Sequence, residues 1–234
     1  MIIYVASGGS GRVDVCWPEV SLLLHGDGNF TDSSSHSISP SVTGSISAGA
    51  ASGAIGGQAI SFSTGSANYV SYVLSGGFLA NPTGDFCIEC WVKITANPFC
   101  SISGGYSAGR DEFLRLFKAP SSSSPKRVLS ASCVSGTQRI NWAAGSAVAT
   151  TWTQGNWNHV AETRSSGTLR QFLNGVKVSE TTDNSSWDFD TVQVGNVFLD
   201  TSNNVGGYIE EVRITQCARY TANFTPSTSA FPNS

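Results

Sequence analysis

The sequence predicts an all-β protein: two antiparallel sheets packed as a sandwich, with a short N-terminal arm. Three observations carry that expectation. Short apolar runs recur between turn residues along the chain. Glycine fills 25 of the 234 positions, with Ser and Thr also abundant. No stretch has the length and periodicity of an amphipathic helix. A chain of this size still fits one sandwich, and its core is large enough to hold without staples.

The elements follow in order. Met1–Val5 is a strand-like apolar pentad, Ala6-Ser-Gly-Gly-Ser-Gly11 is a loose linker, and β character resumes at Arg12–Cys16. Residues 1–16 are therefore read as arm and linker, and 17–234 as the sandwich domain. The plain expectation for the pentad is an extra edge strand or a frayed end. The sharper one is an arm whose Met1, Ile2, Ile3, Tyr4 and Val5 add a strand to a neighbouring subunit. Strands are then predicted at Ser21–His25, Gln58–Phe62, Tyr69–Leu74, Phe86–Ile94, Phe99–Ser103, Glu112–Phe117 and Arg127–Val134. They continue at Gln138–Trp142, Val148–Thr151, Trp157–Arg164, Thr168–Leu173, Val176–Thr181, Thr191–Val194 and Gly207–Thr215. Asn174-Gly175 between two of them supplies the positive φ angles of a type I′ hairpin turn. Residues 31–57 and 119–126, rich in Ser and Gly or bounded by Pro, are expected to be loops.

Charge and cysteine content narrow the partners. Net charge is −3 and no dense Lys/Arg run is present, which excludes nucleic acid as the main partner. No apolar segment approaches the roughly 18–20 residues that cross a bilayer, so no membrane insertion is expected. Met1–Val5 lacks a basic leader and is too short for a signal-peptide core. The six cysteines are accordingly expected to start in a reducing cytosol, where disulfides are uncommon. Cys87-Ile-Glu-Cys90 has the spacing of a redox or zinc pair, but Phe86, Ile88, Cys90, Val92 and Ile94 alternate as the apolar face of one strand. Residues three apart on a strand point to opposite faces, so Cys87 and Cys90 read as structural. Cys16, Cys100, Cys133 and Cys217 have no metal-ligand spacing, and neither do His25, His36 and His159.

Four blocks, in order, resemble a known family. They are Leu22-Leu-Leu-His-Gly-Asp-Gly28 with Phe30-Thr-Asp-Ser-Ser34, then Asp85-Phe-Cys-Ile-Glu-Cys-Trp-Val-Lys93. The third is Trp157-Asn-His-Val-Ala161 with Arg164 and Phe172-Leu-Asn-Gly-Val176. The last is Gly207-Tyr-Ile-Glu-Glu-Val-Arg-Ile-Thr215 followed by Ala218-Arg-Tyr-Thr-Ala-Asn-Phe-Thr-Pro226. Together they resemble the laminin-G-like, concanavalin A-like lectin domain, in the form common in virion proteins of tailed phages. The resemblance runs over about residues 20–232 and implies a jelly-roll sandwich. It departs from the family at Glu210-Glu211, where Asp-Glu is usual, and at Cys217, where a small apolar residue is usual.

Candidate chemistry follows from residues and resemblance together. Related sandwiches include glycanases, which need two carboxylates projecting into one cleft. No Glu-x-Asp-x-Glu or Glu-x-Asp-x-x-Glu run exists here, and Asp188 and Asp190, though on one face, fall in an expected loop beside Asn184-Ser-Ser, so the expectation is no enzyme. A calcium site is the candidate metal centre. Asp27 and Asp32 flank a Gly-rich turn after the first core strand, and Glu210 shares a predicted face with Val212 and Ile214. The family's neighbouring first and last strands would bring Asp27 and Glu210 together, and calcium favours such oxygen ligands. The alternatives are ion pairs with Arg213, Arg164 or Arg12, or turn capping by the Asp side chains. For glycans, Trp91 lies opposite Phe86 and Ile88, beside Glu89 and Lys93, on the predicted outer sheet face. Trp91, Glu89 and His159 are the candidate ligand set, with Trp142, Trp152, Trp157, Trp187, Tyr106 and Tyr208 as further aromatic platforms. His159, inside a strand beside Trp157, reads first as a packed or hydrogen-bonded sandwich residue.

The function expected is that of a non-enzymatic phage virion protein. A capsid decoration or accessory surface protein comes first, with a lectin-like sandwich able to take up cell-surface glycans. A tail-fibre or receptor-binding adhesin, or a free calcium-dependent carbohydrate-binding module, is the alternative. The expected partners are other capsid or tail proteins and further copies of the chain joined through the arm. The expected location is the virion, assembled in the host cytoplasm.

Overall fold

The computed structural model describes residues 14–64, 67–74, 83–96, 100–107, 110–119, 127–134, 137–141, 155–187, 190–196 and 205–234, with the backbone alone for 50–52 and for the described part of 100–141. A 3-10 turn at Trp17–Glu19 precedes β1 (Val20–Leu24), β2 (Ser41–Thr43), β3 (Ile46–Ser52), β4 (Gln58–Phe62), β5 (Tyr69–Val73) and β6 (Phe86–Ala96). Next come β7 (Cys100–Ser107), β8 (Arg110–Ala119), β9 (Arg127–Val134) and β10 (Thr137–Asn141). The chain closes with β11 (Asn158–Ser165), β12 (Thr168–Leu173), β13 (Val176–Thr182), β14 (Thr191–Val194) and β15 (Gly206–Thr215). Among the described residues these form two antiparallel sheets. The eight-stranded sheet runs β13-β12-β11-β6-β15-β4-β3 with β1 also on β15, and the seven-stranded sheet runs β10-β9-β8-β7-β14-β5-β2.

The apolar alternation read in the sequence is what packs the two sheets. Phe86, Ile88, Cys90, Val92 and Ile94 of β6 face inward with Ile209, Val212 and Ile214 of β15 and Val160 of β11. They meet Val70 and Tyr72 of β5 and Val192 and Val194 of β14 from the other sheet. Trp187, wholly buried, plugs this core and donates its indole N–H to Asp183 Oδ2 at 2.7 Å. Cys87 and Cys90 are buried and unpaired, on opposite faces of β6 as expected. The Asn174-Gly175 turn has φ of 50° and 78°, the type I′ geometry predicted for it.

Two strands, β2 and β3, lie in the stretch read as a loop. Ile46-Ser-Ala-Gly-Ala-Ala-Ser52 offers small side chains rather than apolar alternation, and its strand state comes from pairing with β4. The predicted strand Val148–Thr151 and the pentad Met1–Val5 lie outside the described residues.

The outer face of the eight-stranded sheet positions the site, because the C-terminal segment after β15 folds back over part of it. Phe224 N–H donates to Gly175 O and Gln216 N–H to Glu19 O. Phe231 packs on Val20 and Leu23, the outward side of β1. A Cys16–Cys217 disulfide, across a sequence separation of 201, ties the entry of β1 to the exit of β15. This corrects the expectation of reduced cysteines for that pair. Asp14 is held by Arg213 and Arg219, so the sandwich's own bonding starts ahead of the predicted boundary at residue 17.

Candidate functional site

The outer face is built in transverse rows, because cross-strand partners share a face. One row is Ala161–Glu89–Arg213, the next is His159–Trp91–Glu210, and the register carries on through Lys93 and Tyr208. The structure thus brings together Trp91, Glu89 and His159, the predicted glycan set. Two of them are not accessible. Glu89 and His159 are fully buried, covered by Tyr220 and Phe224 of the C-terminal segment. Alternation reveals which face a residue takes, and says nothing about what later folds over that face.

Under the cover lies a polar box. Arg213 Nε and Nη2 donate to Glu89 Oε1 at 2.9 and 2.6 Å, Tyr220 donates its hydroxyl to Glu89 Oε2 at 2.8 Å, and His159 Nε2 lies 3.2 Å from the same oxygen. Arg213 also reaches Asp14 Oδ2, and Arg219 grips both Asp14 oxygens. Burial alone would raise the Glu89 pKa, but Arg213, His159 and Arg219 outweigh it and hold the carboxyl well below the usual range. Arg213 stacks 3.8 Å over the Phe231 ring, and Tyr220 stacks on Phe224 at 3.5 Å. This box is a structural lock. Arg219 and Tyr220 stood in the closing block of the sequence without a role, and nothing in the sequence signalled Asp14.

The predicted calcium residues separate. Asp32 is buried and spends its oxygens on Leu23, Ser34 and Ile38 amides and the Ser34 hydroxyl, a turn cap rather than a metal ligand. Asp27 and Glu210 do meet one loop, residues 53–58. Gln58 N–H donates to Asp27 Oδ1 at 2.5 Å, while Ala54 and Ile55 amides donate to Glu210 Oε1. A Cβ on Gly53 would overlap the Glu210 carboxylate, so glycine is required for that approach. Among the described residues no group of three or more His, Cys, Asp or Glu is arranged to hold a metal. Two carboxylates alone fall short of calcium's six to eight oxygens.

The predicted face of Glu210 is also corrected. Glu211 has φ 51° and the β15–β6 register slips between Glu210 and Arg213, a bulge that inserts a residue. Val212 and Ile214 therefore face the core while Glu210 pairs with outward Trp91. Burial pushes the Glu210 carboxyl up to about 7; the Ala54 and Ile55 amides oppose this, and the Glu211 and Asp27 charges add to it. Glu211 itself accepts from Phe231 N–H and bonds His25 Nδ1 at 2.7 Å. Among the described residues Arg213 pairs with Glu89 and Asp14 and Arg164 with Asp183, not with Asp27 or Glu210; Arg12 lies outside the described residues.

The cover ends at His159. Beyond it Trp157, Lys93 and Tyr208 are half-buried, and the Trp157 and Tyr208 rings lie 6.5 Å apart with planes tilted by 51°. Trp91 is half-buried too, edge-on to His159 at 5.3 Å. This aromatic end is the open part of the face. Of the remaining predicted platforms, Trp187 is core; Trp142, Trp152 and Asp188 lie outside the described residues, as does the side chain of Tyr106. Asp190 accepts from the Thr191 hydroxyl.

A two-sheet sandwich with a partly open aromatic face is the architecture of a lectin-like domain. The chain belongs to the concanavalin A-like lectin/glucanases superfamily, whose laminin-G-type family matches residues 64–223. No curated protein matches the chain. Among solved structures, a botulinum neurotoxin type C, whose cell entry depends on interaction with two ganglioside molecules, is similar at 14% identity and TM-score 0.64. That match covers 88% of this chain and 49% of the toxin chain. Domain 4 of AbnA, an extracellular arabinanase from Geobacillus stearothermophilus seen with arabinotriose, is similar at 18% identity and TM-score 0.60, covering 86% and 93%. The binding domain of Paraclostridial Mosquitocidal Protein 1 is similar at 14% identity and TM-score 0.61, covering 88% and 50%. The chain spans about half the length of the toxin chains it resembles, and at these identities the likeness is one of fold.

Proposed function

We propose that this domain binds glycans without catalysis and works as an adhesive or accessory surface component of a phage virion. The observation that carries the binding reading is the half-buried Trp157–Tyr208 pair on the part of the sheet face beyond the C-terminal segment. Aromatic faces of this kind receive the apolar faces of sugars, while nearby polar groups fix orientation. The catalytic alternative draws no support from Glu89, which is charge-locked and out of reach of any substrate. Domain 4 of the arabinanase AbnA, similar to this chain over nearly its whole length, is seen in complex with arabinotriose, which favours adhesion over a purely structural decoration.

The test is a glycan array with the full chain and with Trp157→Ala. Binding by the parent that is lost in the variant supports the reading; no binding by the parent removes it. The virion placement rests on the resemblance of the four sequence blocks, and immunogold labelling of particles tests it, heads for decoration and tails for adhesion. Assembly through Met1–Val5 is a separate part of the proposal: deleting residues 1–11 should abolish oligomers and leave melting unchanged. Calcium is carried forward only at Asp27 and Glu210. A chelator that lowers the melting temperature, with no effect on Asp27→Ala, supports it; no response removes calcium.

A further inference from the structure

We propose that the ligand is an acidic oligosaccharide laid across the strands, along the row Trp157–Lys93–Tyr208–Ser61–Ser47. The inference rests on the glycan-binding reading and adds the ligand's charge, its extended form and its direction on the sheet.

The row follows from register. Lys93 pairs with Tyr208, Tyr208 with Ser61, and Ser61 with Ser47. Asn158 pairs with Val92, which places Trp157 across from Lys93. Every member is on the outer face, because Val92, Ile94, Ile209, Ile60 and Phe62 beside them point into the core. Trp157, Lys93, Tyr208 and Ser61 are half-buried and Ser47 is exposed. At ~4.8 Å between strands, four steps give a strip of roughly 19 Å. An open strip of that length suits a chain of sugars rather than a single ring held in a pocket.

The polar groups along the strip are unspent. Among the described residues, Lys93 has no carboxylate partner, and neither the Tyr208 hydroxyl nor the Trp157 indole N–H makes a hydrogen bond. The nearest acid on this face, Glu210 in the adjoining row, is turned onto the Ala54 and Ile55 amides. Among the described residues Lys93 is therefore an uncompensated cation, on a molecule of net charge −3. A lysine ammonium is a compact donor for carboxylate or sulfate. Two tilted rings on either side of it supply the apolar contact, and Ser61 and Ser47 supply hydroxyls that both donate and accept. A peptide would more naturally add to a sheet edge, where backbone groups are free; this strip crosses a face, where backbone groups are already paired.

The test is titration calorimetry of the full chain with a hexamer of galacturonic acid, a sulfated galactose hexamer, and a neutral galactose hexamer. The expected result is tighter binding of one or both acidic hexamers, weakened by added salt. Lys93→Gln should lower acidic affinity about three- to five-fold and flatten the salt dependence. Trp157→Ala should lower it about ten-fold. Because Trp157→Ala can loosen the β11 entry, the indole N–H resonance of Trp157 is followed by NMR in the parent protein; it should shift with the acidic hexamer. The carboxylate and sulfate arms identify which anion is preferred. Equal or better binding of the neutral hexamer, or acidic binding indifferent to Lys93→Gln, overturns this inference and leaves the glycan reading standing. Binding of no saccharide, charged or neutral, overturns both.

Discussion

Glu89 keeps its charge at the bottom of a closed box, and the energetic cost of that burial is offset only while Arg213, Arg219, His159 and Tyr220 are all present. Removing one partner of a buried pair leaves an uncompensated charge, which typically costs 3–5 kcal/mol. Arg213→Met should therefore lose about that much in urea unfolding, whereas the double variant Glu89→Gln with Arg213→Met should recover a large part of it. Glu210 behaves in the opposite sense. Its folded pKa, about 7, lies above the ordinary 4.5, so between those values the native state holds more protons than the unfolded chain. Stability falls as pH rises through that window. Glu210→Gln should remove the fall, so the stability difference between variant and parent should move in the variant's favour from pH 5 to pH 8. His25 adds a smaller effect of like direction. Burial works against its charge, but the Glu211 hydrogen bond and charge outweigh this and raise its pKa. Its contribution is full below about 6.5 and is lost as pH rises through the folded value. At this scale the sequence indicated a residue's face better than its setting. Glu89 and His159 were legible as outward-facing, but their cover comes from residues more than fifty positions away. Glu210 was assigned the wrong face because a bulge at Glu211 leaves no mark in the apolar alternation.

Strand alternation was the most legible feature of the elements, and local turn chemistry the next. The β12–β13 hairpin was readable from Asn174-Gly175 because only a few residues accept that backbone. Its glycine has a second duty that sequence does not show: a Cβ on Gly175 would overlap the Phe224 carbonyl, which lies against the turn. Gly175→Ala should cost more than the ~1–2 kcal/mol of holding a Cβ in the left-handed region alone and should loosen the C-terminal segment. Faster hydrogen exchange at the Phe224 amide, bonded to Gly175 O at 2.9 Å, would report it. The β3 strand was illegible because Ser, Ala and Gly carry no apolar period; it is a strand because β4 offers it a ladder.

The whole molecule is a sandwich closed by its own ends. The Cys16–Cys217 bridge spans a sequence separation of 201, and bridges over long loops typically contribute about 2–5 kcal/mol. Reductant, or Cys16→Ser, should lower the melting temperature, and mass spectrometry should find the pair bonded and Cys87 and Cys90 as free thiols. Burial pushes the Cys87 thiol up to about 12, with the Glu89 charge adding to it, so Cys87 should resist alkylation in the folded protein. The closing segment seals Glu89 and His159 and, among the described residues, stops short of the half-buried Trp157–Lys93–Tyr208 end. The sequence resemblance indicated the family and the aromatic inventory; which aromatics remain open depends on where the tail stops. The central claim is that this open end takes glycans. Its most direct test is the indole N–H resonance of Trp157 during titration with an acidic hexasaccharide. A saturating shift, absent for the buried Trp187 indole, is the predicted result; an unmoved Trp157 signal alongside measurable binding elsewhere would contradict it.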